Sequence, residues 1–276
     1  MRFLSGRAVT LFYEFLDDET PLTVPAVSVT VRDSSGESVY TGQAEQSGEG
    51  WSVSLPVLPT GLYAVDWRAD DVATDRTSFE VVGAFLFTVP EARSSDVDLR
   101  DAHRFPAADI RKYREVVEEE FETITGRSFV PRMRRVSVTG DGSAAVFTGL
   151  LDVIRLVSAT GPNGPLNAAE WTVNDAGFLA APQELTEGAR YTLAVEYGLP
   201  AGLEDVKRAG LLRLRSLLTA ENSGIPDRAT SFVAAEGGNF TLATAGRNGY
   251  ETGIPEVDAT LIRYRYRILS DVLGVG

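Results

Sequence analysis

The sequence predicts an α+β chain in two parts, a β-sandwich followed by a helical domain that carries a small β-sheet insertion. Three observations predict it. Apolar residues alternate with polar ones over residues 7–82, helical spacing takes over at Pro106, and a second alternating section interrupts the helical stretches.

In the first part Val9, Leu11, Tyr13 and Phe15 alternate with Ala8, Thr10, Phe12 and Glu14, and Val27, Val29 and Val31 with Ser28, Thr30 and Arg32. Trp51, Val53 and Leu55 repeat the pattern, as do Tyr63, Val65 and Trp67, then Phe79 and Val81. Asp33-Ser34-Ser35-Gly36, Ser47-Gly48-Glu49-Gly50 and Pro59-Thr60-Gly61 supply turn chemistry between the runs. About six or seven short strands at this spacing describe an immunoglobulin-like sandwich over residues 1–83, with Trp51 and Trp67 in its core. No cysteine is present, so an inter-sheet disulfide and thiolate metal sites are excluded.

Residues 84–276 read as the helical domain. Residues 83–95 link the parts, and a short helix is expected over 96–103. Pro106-Ala107-Ala108-Asp109 opens a long helix to Thr125, whose Ile110, Tyr113, Val117, Phe121 and Ile124 share one face, and Gly126 suits its C-terminal cap. The β insertion spans about 132–198. Within it, strands at 134–139 and 144–147 flank Gly140-Asp141-Gly142-Ser143 as a hairpin, and strands at 153–159, 170–174, 177–180 and 190–197 complete the sheet. A helix over 203–221 presents Val206, Leu211, Leu214 and Leu218, with Gly210 weakening it by up to ~1 kcal/mol. A last helix over 256–273 follows Pro255 and presents Val257, Leu261, Tyr264, Ile268 and Val272.

Between those helices runs a 34-residue segment, 222–255, with glycines at 224, 237, 238, 246, 249 and 253. Segments of that length inside compact domains are usually functional or unstructured. Phe232, Phe240, Leu242 and Tyr250 are spaced through it as contact residues for a neighbouring surface.

Acidic residues outnumber basic ones 39 to 26, a formal charge of −13. Residues 1–83 hold 13 acids and 5 Arg, net −8. Such acidity argues against a broad phosphate-binding surface. The amino-terminal residues lack a continuous apolar signal core, and no apolar run approaches ~18 residues, so a soluble protein made in a cytoplasm, with no membrane partner, is expected. His103 is the single histidine, which leaves no nucleophile–base pair and no nitrogen or sulfur metal site. Glu115, Glu118, Glu119, Glu120 and Glu122 read as a solvated helix face. Arg132, Arg134 and Arg135 read as guards on a strand edge. Arg263, Arg265 and Arg267 alternate with Tyr264 and Tyr266, fanning over about 200°; they read equally as facing an acidic partner or a nucleic-acid channel, or as snorkelling side chains around a packed helix. No cofactor, metal or catalytic residue is expected, and the chain reads as a non-enzyme.

From Asp96 onward the order of parts resembles the head-to-tail adaptor, or head-completion connector, proteins of long-tailed actinobacterial-type phages. The resembling residues are Phe121-Glu122-Thr123-Ile124-Thr125-Gly126-Arg127-Ser128-Phe129, then Pro131-Arg132 and the Asp141-Gly142 turn. Val195-Glu196-Tyr197-Gly198 and Thr252-Gly253-Ile254-Pro255-Glu256-Val257-Asp258-Ala259, leading to Leu261 and Arg263-Tyr264, complete the set. The resemblance covers about 180 residues. It implies a structural virion protein of the head–tail neck that forms a ring, usually dodecameric, on the portal. Such a ring extends the DNA channel, lets packaged DNA pass without sequence-specific contacts, and connects the capsid to a stopper or tail-completion protein. On this reading Phe232, Phe240, Leu242 and Tyr250 meet the adjacent subunit or next connector, and Arg263, Tyr264, Arg267 and Ile268 dock on the portal. The added N-terminal sandwich departs from the minimal family pattern.

Two other classes compete. A binding protein would use its immunoglobulin-like domain on a carbohydrate or cell-surface ligand, and would need exposed aromatic residues in a sandwich groove. A hydrolase would need paired carboxylates, which no stretch supplies in a recognisable frame.

Overall fold

The computed structural model describes residues 1–70, 72–174, 178–199, 203–219, 229–233, 239–242 and 251–265. It is an α+β chain that groups into two compact units. One is Met1–Ala84 with Pro131–Tyr197, the other Phe85–Val130 with Gly198–Gly276.

In the β unit the first segment forms β1 (Arg2–Leu4), β2 (Val9–Tyr13), β3 (Leu16–Asp17), β4 (Thr20–Pro21), β5 (Ser28–Arg32), β6 (Ser38–Gln43), β7 (Glu45–Ser47), β8 (Gly50–Leu55), β9 (Gly61–Ala69) and β10 (Ala73–Val82). They build a five-stranded sheet in the order β1-β10-β9-β5-β6, a three-stranded sheet β2-β8-β7 and a β3-β4 ribbon. The β1–β10 pair is parallel, and the other pairs of this segment are antiparallel. Alternation does the sorting, because successive side chains of a strand point to opposite faces. Val9 and Leu11 of β2 and Val53 and Leu55 of β8 join Val29, Val31, Val65, Trp67 and Phe79 of the larger sheet in one core. Each such side chain contributes about 1.5–3 kcal/mol on burial. Trp51 and Trp67 lie in this core as expected. Tyr13 stacks on Trp67 with centroids 5.1 Å apart, and the indole N–H donates to Thr77 Oγ1 at 2.9 Å.

The second segment adds β11 (Arg132–Thr139), β12 (Ala145–Val146), β13 (Val153–Gly161), β14 (Gly164–Leu166), β15 (Thr172–Val173), β16 (Leu179–Ala180) and β17 (Arg190–Tyr197). The expected hairpin of 134–139 with 144–147 does not form. β11 pairs with β17 along its whole length, from Arg132↔Tyr197 to Thr139↔Arg190, and β12 pairs instead with β16. Eight register pairs outweigh the two that β12 offers, and Gly140 turns toward the 185–189 loop, donating its N–H to Ala189 O at 2.8 Å. The sheets are β11-β17-β13-β14 and β12-β16-β15.

A buried charge cluster ties the two segments of this unit together. Glu80 on β10 accepts from Arg132 Nε at 3.1 Å and from the Met133 N–H at 2.5 Å, and Arg2 Nε lies 3.6 Å away. A buried carboxylate is tolerable only when it is paired and hydrogen-bonded in this way.

The helical unit contains α1 (Val89–Ser95), α2 (Ala107–Thr125), α3 (Glu204–Thr219), β18 (Ala229–Val233), β19 (Asn239–Leu242) and α4 (Pro255–Tyr264). The first helix lies earlier than expected, within the stretch read as a linker. Thr88 and Glu91 form a reciprocal capping box around Pro90, and Asp96 leaves helical geometry. The expected 96–103 helix is reduced to one 3-10 turn, Asp98–Arg100. In α2 the stripe buries Ile110, Val117 and Phe121, and Gly126 closes the helix at φ 73° with its N–H on Glu122 O at 2.8 Å.

The acidic face of α2 is a correction. Glu118 is buried and accepts the Leu86 N–H at 2.8 Å, and Glu120 takes two bonds from Arg213, both at 2.7 Å. These carboxylates serve packing; Glu119 remains exposed. Gly210, expected to weaken α3, has a packing reason: a Cβ there would lie 2.7 Å from Leu86 Cδ2. At the other end of the unit Leu199 N–H donates to Ser128 O at 2.9 Å. Gly198 has φ +112°, and a Cβ on it would meet Val130 O at 2.3 Å, so only glycine fits.

Candidate assembly surface

Of the residues proposed from the sequence for contacts with other chains, Phe232, Phe240 and Leu242 lie on the strands between α3 and α4, and Arg263 and Tyr264 lie on α4. α3 buries Val206, Ala209 and Leu214, and α4 buries Val257 and Leu261 against the same core. Pro255 starts α4, where a missing N–H does no harm. Ahead of it Thr252 donates both its N–H and its hydroxyl to Asp258 Oδ1 at 2.9 Å, which fixes the chain's entry into the helix.

Arg263 and Tyr264 converge on a residue that sequence reasoning missed. The Tyr264 hydroxyl lies 3.0 Å from both Asp205 oxygens, and Arg263 Nη2 lies 3.1 Å from Oδ2. Burial, then the hydrogen bond to Asp205, raises the Tyr264 pKa, so the phenol stays a donor. Its ring meets Phe129 edge-on with centroids 5.5 Å apart. Tyr264 therefore fixes α4 to the unit, while Arg263 keeps 61% of its side chain exposed. One turn away Arg208 and Glu256 pair at 3.0 Å, both exposed. Ile262, also missed, is 45% exposed beside these charges. The only sequence signal for Asp205 was its acidic place in the first turn of α3, which is common and nonspecific.

The described part of α4 ends at Tyr264, with Arg265 as its C-terminal cap at φ −59° and ψ 127°, and residues 266–273 of the expected helix lie outside the described residues. Arg267 and Ile268 lie outside the described residues, as does Tyr250. Phe232, Phe240 and Leu242 fall on β18 and β19, where antiparallel register pairs Phe232 with Phe240 and Leu242 with Ala229. This two-stranded sheet pairs with no other strand among the described residues.

His103 is exposed. Among the described residues no group of three or more His, Cys, Asp or Glu could hold a metal ion, and no helix is long and apolar enough to cross a membrane.

No protein-family model matches the chain, and no curated protein matches it. Among solved structures, a chain from the neck of an empty gene transfer agent particle computed with C6 symmetry is 18% identical, with TM-score 0.40, covering 67% of this chain and 92% of that one. A chain from the virion of a native gene transfer agent particle is 17% identical, with TM-score 0.37, over 60% of this chain and 81% of that one. A trypsin-activated α2-macroglobulin from Escherichia coli is 17% identical, with TM-score 0.26, over 29% of this chain. This chain spans only 6% of the length of that macroglobulin. At these TM-scores the likenesses establish neither fold nor function.

Proposed function

We propose that the chain is a structural, non-catalytic virion protein of the head–tail neck. It forms a ring-shaped adaptor that docks on the portal, extends the DNA channel and joins the capsid to a stopper or tail-completion protein. The observation that carries this reading is the β18–β19 hairpin, a sheet of two strands placed between two packed helices. A lone hairpin is marginal in water and gains stability from further strands or from packing on another body. A ring supplies that body at every position, because its head-to-tail contacts present the same neighbour to each copy. The order of sequence elements from residue 96 onward supports the same assignment.

Roles follow. Phe232, Phe240, Leu242 and Tyr250 belong to the segment that meets the neighbouring subunit or the next connector. Arg263, Arg267 and Ile268 face the portal, with Tyr264 holding α4 in place for them. On this reading the N-terminal sheets serve as an immunoglobulin-like decoration, and their core is closed. Trp51 and Trp67 are 8% and 1% exposed, so neither offers an indole platform to a carbohydrate, which weighs against the binding-protein reading.

The test mixes the purified chain with portal-bearing capsids and images them. A ring on the portal vertex is expected. Deleting residues 236–250 should abolish ring formation while helix content by circular dichroism is unchanged; rings that still form would refute the role given to this segment.

A further inference from the structure

Open sheet edges offer unpaired N–H and C=O groups to any passing strand, and folded proteins guard them with charge, proline, bulges or brevity. In this chain the edges are guarded with few exceptions. β11 carries Arg132, Arg134 and Arg135, β14 carries Pro165, β7 carries Glu45 and β1 carries Arg2. β6 contains Gly42 and a register shift opposite Val31 and Arg32. β12 and β15 are two residues long, and the β3-β4 ribbon holds Asp17 and Pro21.

One place lacks every such device, and a second has only a register shift between Ala229 and Ser231. The first is β2, Val-Thr-Leu-Phe-Tyr, which is the end strand of its sheet and pairs only with β8. Its Phe12 is 54% exposed, an aromatic anchor on the outer face. The other is the hairpin, Ala-Thr-Ser-Phe-Val on β18 and Asn-Phe-Thr-Leu on β19, without charge, proline or glycine.

We propose that the hairpin of one copy of this chain adds to the β2 edge of the next copy. The three-stranded β2-β8-β7 sheet thereby becomes a five-stranded sheet shared by two subunits. β2 and β18 are both five residues long, so their ladders match in length. Nine residues, 220–228, precede β18 and twelve, 243–254, follow β19, and at ~3.3 Å per residue nine residues can span about 30 Å. Donor and acceptor are different surfaces, so every copy gives one hairpin and receives one, the contact type that closes rings. Backbone bonding supplies the attachment and Phe12 the side-chain contact, as in other strand additions. The inference rests on the ring-forming reading and names the surface the segment grips.

The absence of cysteine makes the test clean. Full-length Thr10→Cys chains are mixed with Ser231→Cys or Thr241→Cys chains on portal-bearing capsids and treated with a short bismaleimide. A crosslinked dimer joining position 10 to the hairpin is expected, and it must bridge two chains because each carries one thiol. Separately, Phe12→Lys places a guarding charge on the edge at an exposed site. It should lower ring occupancy on the portal about tenfold or more with an unchanged circular dichroism spectrum. If the 236–250 deletion abolishes rings while Phe12→Lys rings form normally and no crosslink appears, the hairpin grips another surface and this inference is overturned, with the adaptor reading intact. If deletion, Phe12→Lys and the parent chain all show no ring, the adaptor reading fails and takes the inference with it.

Discussion

The two units secure themselves by different means. The β unit closes two sheets over a broad apolar core in which Val29, Val31, Val65 and Trp67 are almost wholly inaccessible, and among its described residues the one buried carboxylate, Glu80, sits where its two chain segments meet. The helical unit has a core of comparable quality around Phe121, Leu214 and Leu261, yet fastens each helix with a polar tie. Glu118 holds the backbone at Leu86, Glu120 holds Arg213, and Asp205 holds Tyr264. Strands find their partners through ladders, whereas helices satisfy their backbone internally and need side chains to fix how they sit. The difference teaches where charge in this acidic chain is structural.

Substitutions can break or sharpen that contrast. The largest effect is expected from Glu80→Ala, which removes the carboxylate set among Arg2, Arg132 and the Met133 N–H. Loss of about 3–5 kcal/mol from the β unit should appear in urea unfolding, as for other broken buried pairs. A change near zero would mean that the junction adds nothing and that the two β segments are held by apolar contact alone. Arg213→Ala should cost about 2 kcal/mol in the helical unit, since it strips two charge-assisted bonds from Glu120 at a site where the Arg213 side chain is 12% exposed. Tyr264→Phe should cost about 1–2 kcal/mol and loosen α4, read as faster hydrogen exchange at residues 257–264. Unchanged exchange there would show that the ring contact with Phe129 suffices.

The smallest effect is a matter of pH. Burial, then the hydrogen bond to Asp75, pushes the Tyr13 phenol up to about 12 from its ordinary 10. A raised folded value means the native state keeps its proton longer than the unfolded chain. The contribution is therefore complete below pH 10 and is lost as pH climbs to about 12. Absorbance titration should show a tyrosine ionising at about pH 12 that is lost in Tyr13→Phe, while the raised Tyr63 and Tyr264 phenols remain. The acid limb has the opposite sign. The Arg76 bond holds the Asp66 carboxyl below its ordinary 3.8, so that contribution stands above this value and fades as pH falls beneath it. Both limbs belong to the β unit.

What could be read from the residues follows the same division. Alternation located the strands around Val29, Val53 and Trp67, and the Ile110–Phe121 stripe located α2, because period and burial are the same fact seen twice. Pairing was beyond reach where partners are far apart. β11 alternates identically whether it meets β12 or β17, and only the length of the matching ladder decides. The α1 start was written plainly as Thr88-Val89-Pro90-Glu91, inside the stretch read as a linker. Glu118 misled in the reverse sense. Charge implied solvent, while the lone N–H of Leu86 required an acceptor inside. In the candidate surface, Arg263 and Tyr264 stood out by composition, and Asp205 emerged only when folding placed it under them.

The meeting of Val130 with Gly198 has a consequence for how such a chain is put together. Sixty-seven residues leave the helices at one point and come back beside it, the two backbones so near that no methyl group would pass. A gate that narrow lets an excursion of any length be carried between Val130 and Gly198 without moving the helical residues on either side of it. The β excursion thus has the form of a cassette, and a glycine–serine bridge across the gap should leave the helices folded without it.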